Sequence, residues 1–426
     1  MTGRPHPLAA HPRDDRPGGD LVPPDEARAI VLGGVVPVAG TESVPLAGAL
    51  GRVAAADLTS TVALPRFDNS AVDGYGLTAE DLARAVPATL AVAGRVPAGR
   101  PSLPARPGAA VRILTGAAIP DGIAAVVAHE RTVAAGDAIT LPAMPAPGAN
   151  IRRYGEDVSP GTVVVAAGTL IDARHVAVLA AAGIARLPVR RRLRVGVLST
   201  GDELVEAGEE PGVSRIVDSN RPMLIAVLGS AAVEVVDLGV VADRRETVAA
   251  ALADAALHLD LLISSGGVAG SDADHLEPAI RAAGGRCRPL KLALRPGKPI
   301  AEGEVGRMRI LALPGNPVAA LVNVLLFGRP LIRRLVGAAD TARSDVPARA
   351  NAVFWHKPGR TEFVPARIVG HGDDGLPIVE KLGRGGSARL MPLVAADGLA
   401  EIDGGVGDVP AGACVRFHPF STAFAL

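Results

Sequence analysis

Three apolar runs of the chain break off into small residues: Ser199-Thr200-Gly201, Ser264-Ser265-Gly266-Gly267 and Pro314-Gly315-Asn316-Pro317. Small residues at a strand end let backbone N–H groups approach a phosphate, and the next helix N-terminus adds a favourable dipole. Glycines that merely end strands would look the same one at a time. Three such turns at one sheet edge point instead to a ligand site. Acids crowd the same edge: Asp202 and Glu203 follow the first turn, Asp272 and Asp274 the second, and Asp243 ends the strand between them. Bare carboxylates repel a phosphate, but Mg²⁺ resolves the conflict by taking one or two carboxylates together with phosphate oxygens. Helix capping is the rival role for Asp272 and above all for Asp243, which has capping-box spacing to Glu246. Cations for an anion lie in "KLALRPGKPIAEG" (291–303), where Lys291, Arg295 and Lys298 flank Pro296-Gly297. A solvated charged turn is the alternative there.

A second polar cluster lies far upstream. "RFDNSAVDGYG" packs Asp68, Asn69, Ser70 and Asp73 into six residues and reads as loop or turn. "RILTGAAIP" places Thr115-Gly116 at another strand end. Convergence of these with the glycine turns requires an interdomain or intersubunit cleft. The histidines show no zinc-like spacing, and there is no G-x-S-x-G elbow, Walker A loop or G-x-G-x-x-G fingerprint. The lone Trp355, beside His356 and Lys357, reads as a barrel-surface or core residue.

The elements that must position these groups follow from apolar periodicity. From residue 193 strands alternate with helices, which predicts a doubly wound parallel sheet over about 190–337 with ligands at the strands' C-terminal ends. Residues 88–145 alternate short β-rich runs with Gly and Pro, predicting a β-rich domain over 56–145. An amphipathic helical pattern runs over 24–56, and a helix opened by Asp172 and closed at Gly183 follows later. Packing of these two would make one domain from the separated stretches 21–55 and 146–189. Residues 338–426, with short strands and repeated Gly turns, predict a small β-barrel or sandwich. Residues 1–20 read as a polar, Pro-rich disordered tail without an apolar signal segment.

A chain of 426 residues is too long for one core. It is 48% hydrophobic but only 2% aromatic, so the cores must be built from Ala, Val, Leu and Ile. Lys plus Arg (44) equal Asp plus Glu (44), which leaves no global electrostatic case for nucleic acid or an anionic membrane. The longest apolar run, "PVAALVNVLLFG" (317–328), is too short to span a bilayer. Two cysteines outside any C-x-x-C suggest a reducing cytoplasm.

The ordered segments "DNSAVDGY", "RILTGAAIP", "IRRYGEDV", "VLSTGDEL", "SNRPML", "ISSGGVAGSDADH", "LRPGKP", "LPGNPVAALV" and "GGSARLMPLVAADGLAEI" resemble the MoeA/gephyrin E-domain family over about residues 21–420. The resemblance implies a multidomain α/β and β chain: a doubly wound α/β molybdopterin-binding domain, a β-rich N-terminal domain, a discontinuous linker domain and a C-terminal small β-barrel. It implies a molybdopterin molybdenumtransferase that inserts molybdate into adenylylated molybdopterin, with Mg²⁺-dependent hydrolysis and AMP release. It also implies a homodimer whose cleft lies between the α/β domain of one subunit and the "DNSAVDGY" domain of the other, with other proteins of the pathway as partners. Carried over by position, Glu203, Asp243 and Asp274 become functional acids and Mg²⁺ ligands. Asp68, Asp73, Thr115 and Asp157 join them as functional residues, and Lys291, Arg295, Lys298 and Ser387 bind substrate with the glycine turns. Arg295 stands where many members have Lys, and "GGVAGSDADH" replaces the commoner "GGVSVGDADH". The rivals are a pathway adenylyltransferase, which lacks the flanking β domains, and a non-enzymatic scaffold, which would have lost the acids.

Overall fold

In the computed structural model, residues 21–101, 104–268, 275–339, 345–383 and 388–423 are described. Residues 1–20, Asp272, Asp274 and Ser387 lie outside them. The central sheet has the strand order Val233–Val241, Leu193–Thr200, Leu261–Ser265, Met308–Leu313, Pro299–Val305, Arg286–Lys291. Its first four strands are parallel, and the fifth runs antiparallel to both the fourth and the sixth. The departure from an all-parallel sheet has a simple cause. Only Gly306 and Arg307 join the fifth strand to the fourth, and two residues make a hairpin but no crossover.

Both faces of this sheet are covered, and the strands' period of two divides the core. Val195, Val197, Ile263 and Leu311 face one hydrophobic cluster with the helices Asn220–Leu228 and Pro317–Asn323. Leu198, Leu262, Ile310 and Ala312 face the other, with Arg245–Ala255 and Leu276–Ala282. The doubly wound reading holds.

The helical pattern over 24–56 yields an α-helix only at Pro24–Leu32, because Gly33-Gly34 follows at once, and a single 3-10 turn at Leu46–Gly48. The α-helix buries Ala27 and Val31 in the first α/β cluster, not against the Asp172 helix. The stretches 21–55 and 146–189 meet through strand pairing, with Thr41–Pro45 antiparallel to Arg186–Arg190; Leu58–Thr59, from the stretch expected in the β-rich domain, pairs with Val163–Val165. The helix Ala173–Ala181 packs there through Leu179, opened by a capping box between Asp172 and His175, with Gly183 at φ 78° beyond its end.

The β-rich domain is a six-stranded sheet. The segment read as loop is in part its buried second strand, Gly74–Thr78. The glycines there serve close approach, since a Cβ on Gly74 would lie 2.2 Å from the Val127 carbonyl oxygen. At the C-terminus, Thr361–His371, Pro377–Lys381, Val346–Ala350, Cys414–Pro419 and Gly398–Ile402 close into a five-stranded barrel. Closure removes the exposed edges. No helix among the described residues is long and apolar enough to cross a membrane.

Candidate active site

Parallel strands place their C-terminal ends side by side, so the three glycine turns converge. The Gly266 N–H donates to Leu313 O at 3.0 Å, and a Cβ on Gly315 would stand 3.9 Å from Gly266 Cα. Asn220 ties the turns together, its side-chain amide donating to Ser265 Oγ at 2.8 Å and to Gly315 O at 2.7 Å. Gly266 has φ 94°, and a Cβ on it would meet Thr200 O at 2.6 Å, so only glycine fits this turn. Thr200 Oγ1 is buried without a hydrogen-bond partner among the described residues, beneath Gly266 and Gly267. A cradle of small residues with an unspent hydroxyl suits an incoming oxyanion.

These turns open into a cleft of about 680 Å³ between the α/β sheet and the barrel. Glu203 and Asp243 line it on the acidic side, Arg295 and Lys298 on the basic side. Asp243 stands just before Arg244, the N-cap position of the helix Arg245–Ala255. The Asp243 backbone N–H donates to Asp202 Oδ1 at 3.1 Å, which joins the first turn to the end of the neighbouring strand. Behind them the buried guanidinium of Arg221 pairs with Glu206, Asp218 and Asp237, anchoring the segment that follows Glu203. Among the described residues no three His, Cys, Asp or Glu side chains gather as a ready metal cage. Two carboxylates with room for substrate oxygens fit Mg²⁺, which shares its shell with phosphate.

Residues 22–183 match the family model described as "MoeA N-terminal region (domain I and II)". Residues 196–334 match "Probable molybdopterin binding domain", and residues 347–420 match "MoeA C-terminal region (domain IV)". The chain is 36% identical over 400 residues to the molybdopterin molybdenumtransferase of Haemophilus influenzae, covering 93% of this chain and 98% of that one. The chain belongs to the MoeA family of molybdopterin molybdenumtransferases. It is 37% identical over 379 residues to molybdopterin molybdenumtransferase 2 of Mycobacterium tuberculosis, covering 87% of this chain and 93% of that one. The solved molybdopterin biosynthesis moeA protein of Pyrococcus horikoshii superposes with a TM-score of 0.78 at 30% identity, covering 94% of this chain and all of that one.

Within this chain the expected residues do not all line the cleft. Thr200, Gly201, Glu203, Asp243, Gly266, Gly267, Arg295, Lys298, Pro314, Gly315 and Asn316 line the cleft. Ser199 and Ser265 lie buried in the sheet behind it, and Lys291 is exposed at a strand end outside its lining. Asp68, Asp73, Thr115 and Asp157 are in the N-terminal half and do not line it either. There Asp68 accepts from Tyr154 N at 2.7 Å and from the Arg153 guanidinium at 2.6 Å. Asp73 accepts from both N and Oγ1 of Thr115, each at 2.7 Å. The Tyr154 amide and Arg153 hold the Asp68 carboxyl below its usual range, and Thr115 does the same for Asp73. Asp157 is exposed.

Sequence reasoning missed Asn220, although "SNRPML" was visible as a segment, because an amide clamp has no spacing signature. It also missed Arg360, Lys381 and Arg389, cations that the barrel adds to the cleft. They are separated from the glycine turns by the whole barrel topology, which no local pattern encodes.

Proposed function

We propose that this enzyme inserts molybdate into adenylylated molybdopterin, with hydrolysis of the pyrophosphate link and release of AMP. The observation that carries the reading is one cleft in which glycine turns, the carboxylates of Glu203 and Asp243, and cations from two domains face one another. The backbone amides of the three turns and Thr200 Oγ1 hold phosphate oxygens, with Asn220 keeping the turns in register. Arg295 and Lys298 offset the substrate's negative charge, and Arg295, with its planar fork, suits bidentate contact with an oxyanion such as molybdate. Glu203 and Asp243, with Asp274 beyond the described residues, would hold Mg²⁺, which when bound supplies neutralisation of charge at the pyrophosphate. Ser387, beyond the described residues, and Lys291 are expected to bind substrate as well.

A homodimer completes the site. Asp68, Asp73, Thr115 and Asp157 then face the cleft of the partner subunit rather than their own, in a cytoplasmic enzyme. The test is to incubate the protein with adenylylated molybdopterin, Mg²⁺ and molybdate and to follow AMP. AMP release that requires molybdate supports the reading. Consumption of ATP and molybdopterin without molybdate would replace it with an adenylyltransferase.

A further inference from the structure

One carboxylate in the cleft belongs to no turn and to neither acidic loop. Glu362 lies on the barrel strand Thr361–His371, its side chain 5% exposed. Residues Leu294–Arg295 of the α/β domain pair in parallel with Thr361–Glu362, so Arg295 and Glu362 are register partners across the domain seam. The Thr361 N–H also donates to Ala293 O at 2.9 Å. Glu362 Oε1 is 3.6 Å from Arg295 Nε, and Oε2 is 3.5 Å from Lys381 Nζ. Among the described residues Oε2 has no hydrogen bond, so an ion pair is its only compensation for burial. Lys381 is in turn held by the Trp355 carbonyl at 3.3 Å.

Arg295, Glu362 and Lys381 border the cleft and also a second cavity of about 710 Å³ on the barrel side, which Trp355 lines. They form the wall between the two. Two cations share one acid there, leaving a net positive charge facing the oxyanion cradle. We propose that Glu362 is a positioning residue: it fixes Arg295 and Lys381 in this wall and competes with the incoming oxyanion for them, so that the anion is held in place without being trapped. Glu362 itself touches no reacting atom.

Removing the charge but not the shape isolates this role. Glu362→Gln leaves two cations with no acid between them, so a small oxyanion binds more tightly but to side chains no longer held in place. The protein is titrated with molybdate alone and with inorganic pyrophosphate alone, by calorimetry, at two salt concentrations. The expected result for Glu362→Gln is anion binding about fivefold tighter, with a steeper salt dependence. In turnover, KM for molybdate falls and kcat falls about tenfold, a split that loss of structure alone does not produce. Glu362→Asp, which restores the charge, returns anion affinity to the wild-type value. Unchanged or weaker anion binding in Glu362→Gln overturns the proposal, as does an affinity in Glu362→Asp that follows the Gln variant. The turnover arm rests on the transferase reading, whereas the binding arm does not. A wild-type protein that releases no AMP therefore removes the former and leaves the anion comparison to stand or fall by itself.

Discussion

The chain carries two clusters of acids on turns, and they are used in opposite ways within one subunit. Asp68 and Asp73 bend back onto their own neighbourhood, accepting from the Tyr154 amide, Arg153 and Thr115. They fasten the segments around 68–73, 115 and 153 to one another. Glu203 and Asp243 instead border an open volume, with an unpartnered hydroxyl at Thr200 and cations at Arg295 and Lys298 on the same lining. An acid cluster in sequence is therefore not yet a site. What separates the two is whether the carboxylates face space and whether opposite charge faces them across it. The N-terminal acids gain a role in chemistry only if a partner subunit brings a cleft to them.

The comparison breaks most sharply on the cleft acids. Glu203→Gln and Asp243→Asn should each lower AMP release by about a hundredfold or more, as loss of charge stabilisation at a reacting phosphate does. Circular dichroism and the melting temperature should stay near wild type, because each substitution keeps the shape of the side chain and removes only its charge. AMP release within about threefold of wild type in both variants would remove these acids from the reaction.

The N-terminal cluster sharpens the comparison through mixing. Asp73→Ala should lower the melting temperature by a few degrees, since Thr115 loses its acceptor. If the partner's cluster completes each cleft, the variant is inactive by itself. Mixing it with inactive Glu203→Gln under conditions that exchange subunits should restore about a quarter of the wild-type rate, because half of the dimers then carry one intact site. No recovery on mixing would confine the cluster to a structural role.

Gly266 gives a smaller effect on the fold and a clear one on the cradle. Alanine there must adopt φ 94° with its Cβ 2.6 Å from the Thr200 carbonyl oxygen, and backbone cannot yield as a flexible side chain does. Gly266→Ala should cost about 1–3 kcal/mol, measured by denaturant unfolding, and should weaken pyrophosphate binding at the same time. Gly284→Ala makes the control: its φ of 78° is also unfavourable for alanine, but a Cβ there meets nothing within 4 Å, so pyrophosphate binding should stay unchanged.

How much of this was legible depends on the range of the interaction. The α/β domain announced itself because buried parallel strands are continuous apolar runs, and the glycine turns followed from the strand ends. The capping box at Asp172 was legible for the same local reason. The final antiparallel hairpin was not, since "KLALRPGKPIAEG" reads as a charged turn, and nothing in it marks a strand that ends only at Val305, two residues before "MRILALPG". Gly74 and Gly76 misled, because glycine signals a turn and a close-packed strand with equal force. Glu362 and Lys381 were invisible, as Glu362 meets Arg295 only across the domain seam and Lys381 reaches it from the neighbouring barrel strand.

The smallest expected effect concerns pH and returns to the N-terminal acids. The Asp68 carboxyl is held below its usual value by the Tyr154 amide and Arg153, against the opposing effect of burial. A depressed folded-state pKa means that the unfolded chain binds the proton first. The contribution to stability is therefore complete above the unfolded value of about 3.9 and fades as pH falls through the lower folded value. Between about pH 5 and pH 3 the wild-type melting temperature should fall slightly more than that of Asp68→Asn, which has no charge to lose. Because Asp68 is about one-third exposed, solvent screens the ion pair and the difference should be no more than a degree or two. Equal acid slopes for the two proteins would show that the Asp68 contact is too well solvated to hold this segment, leaving Thr115 and Asp73 as its fastening.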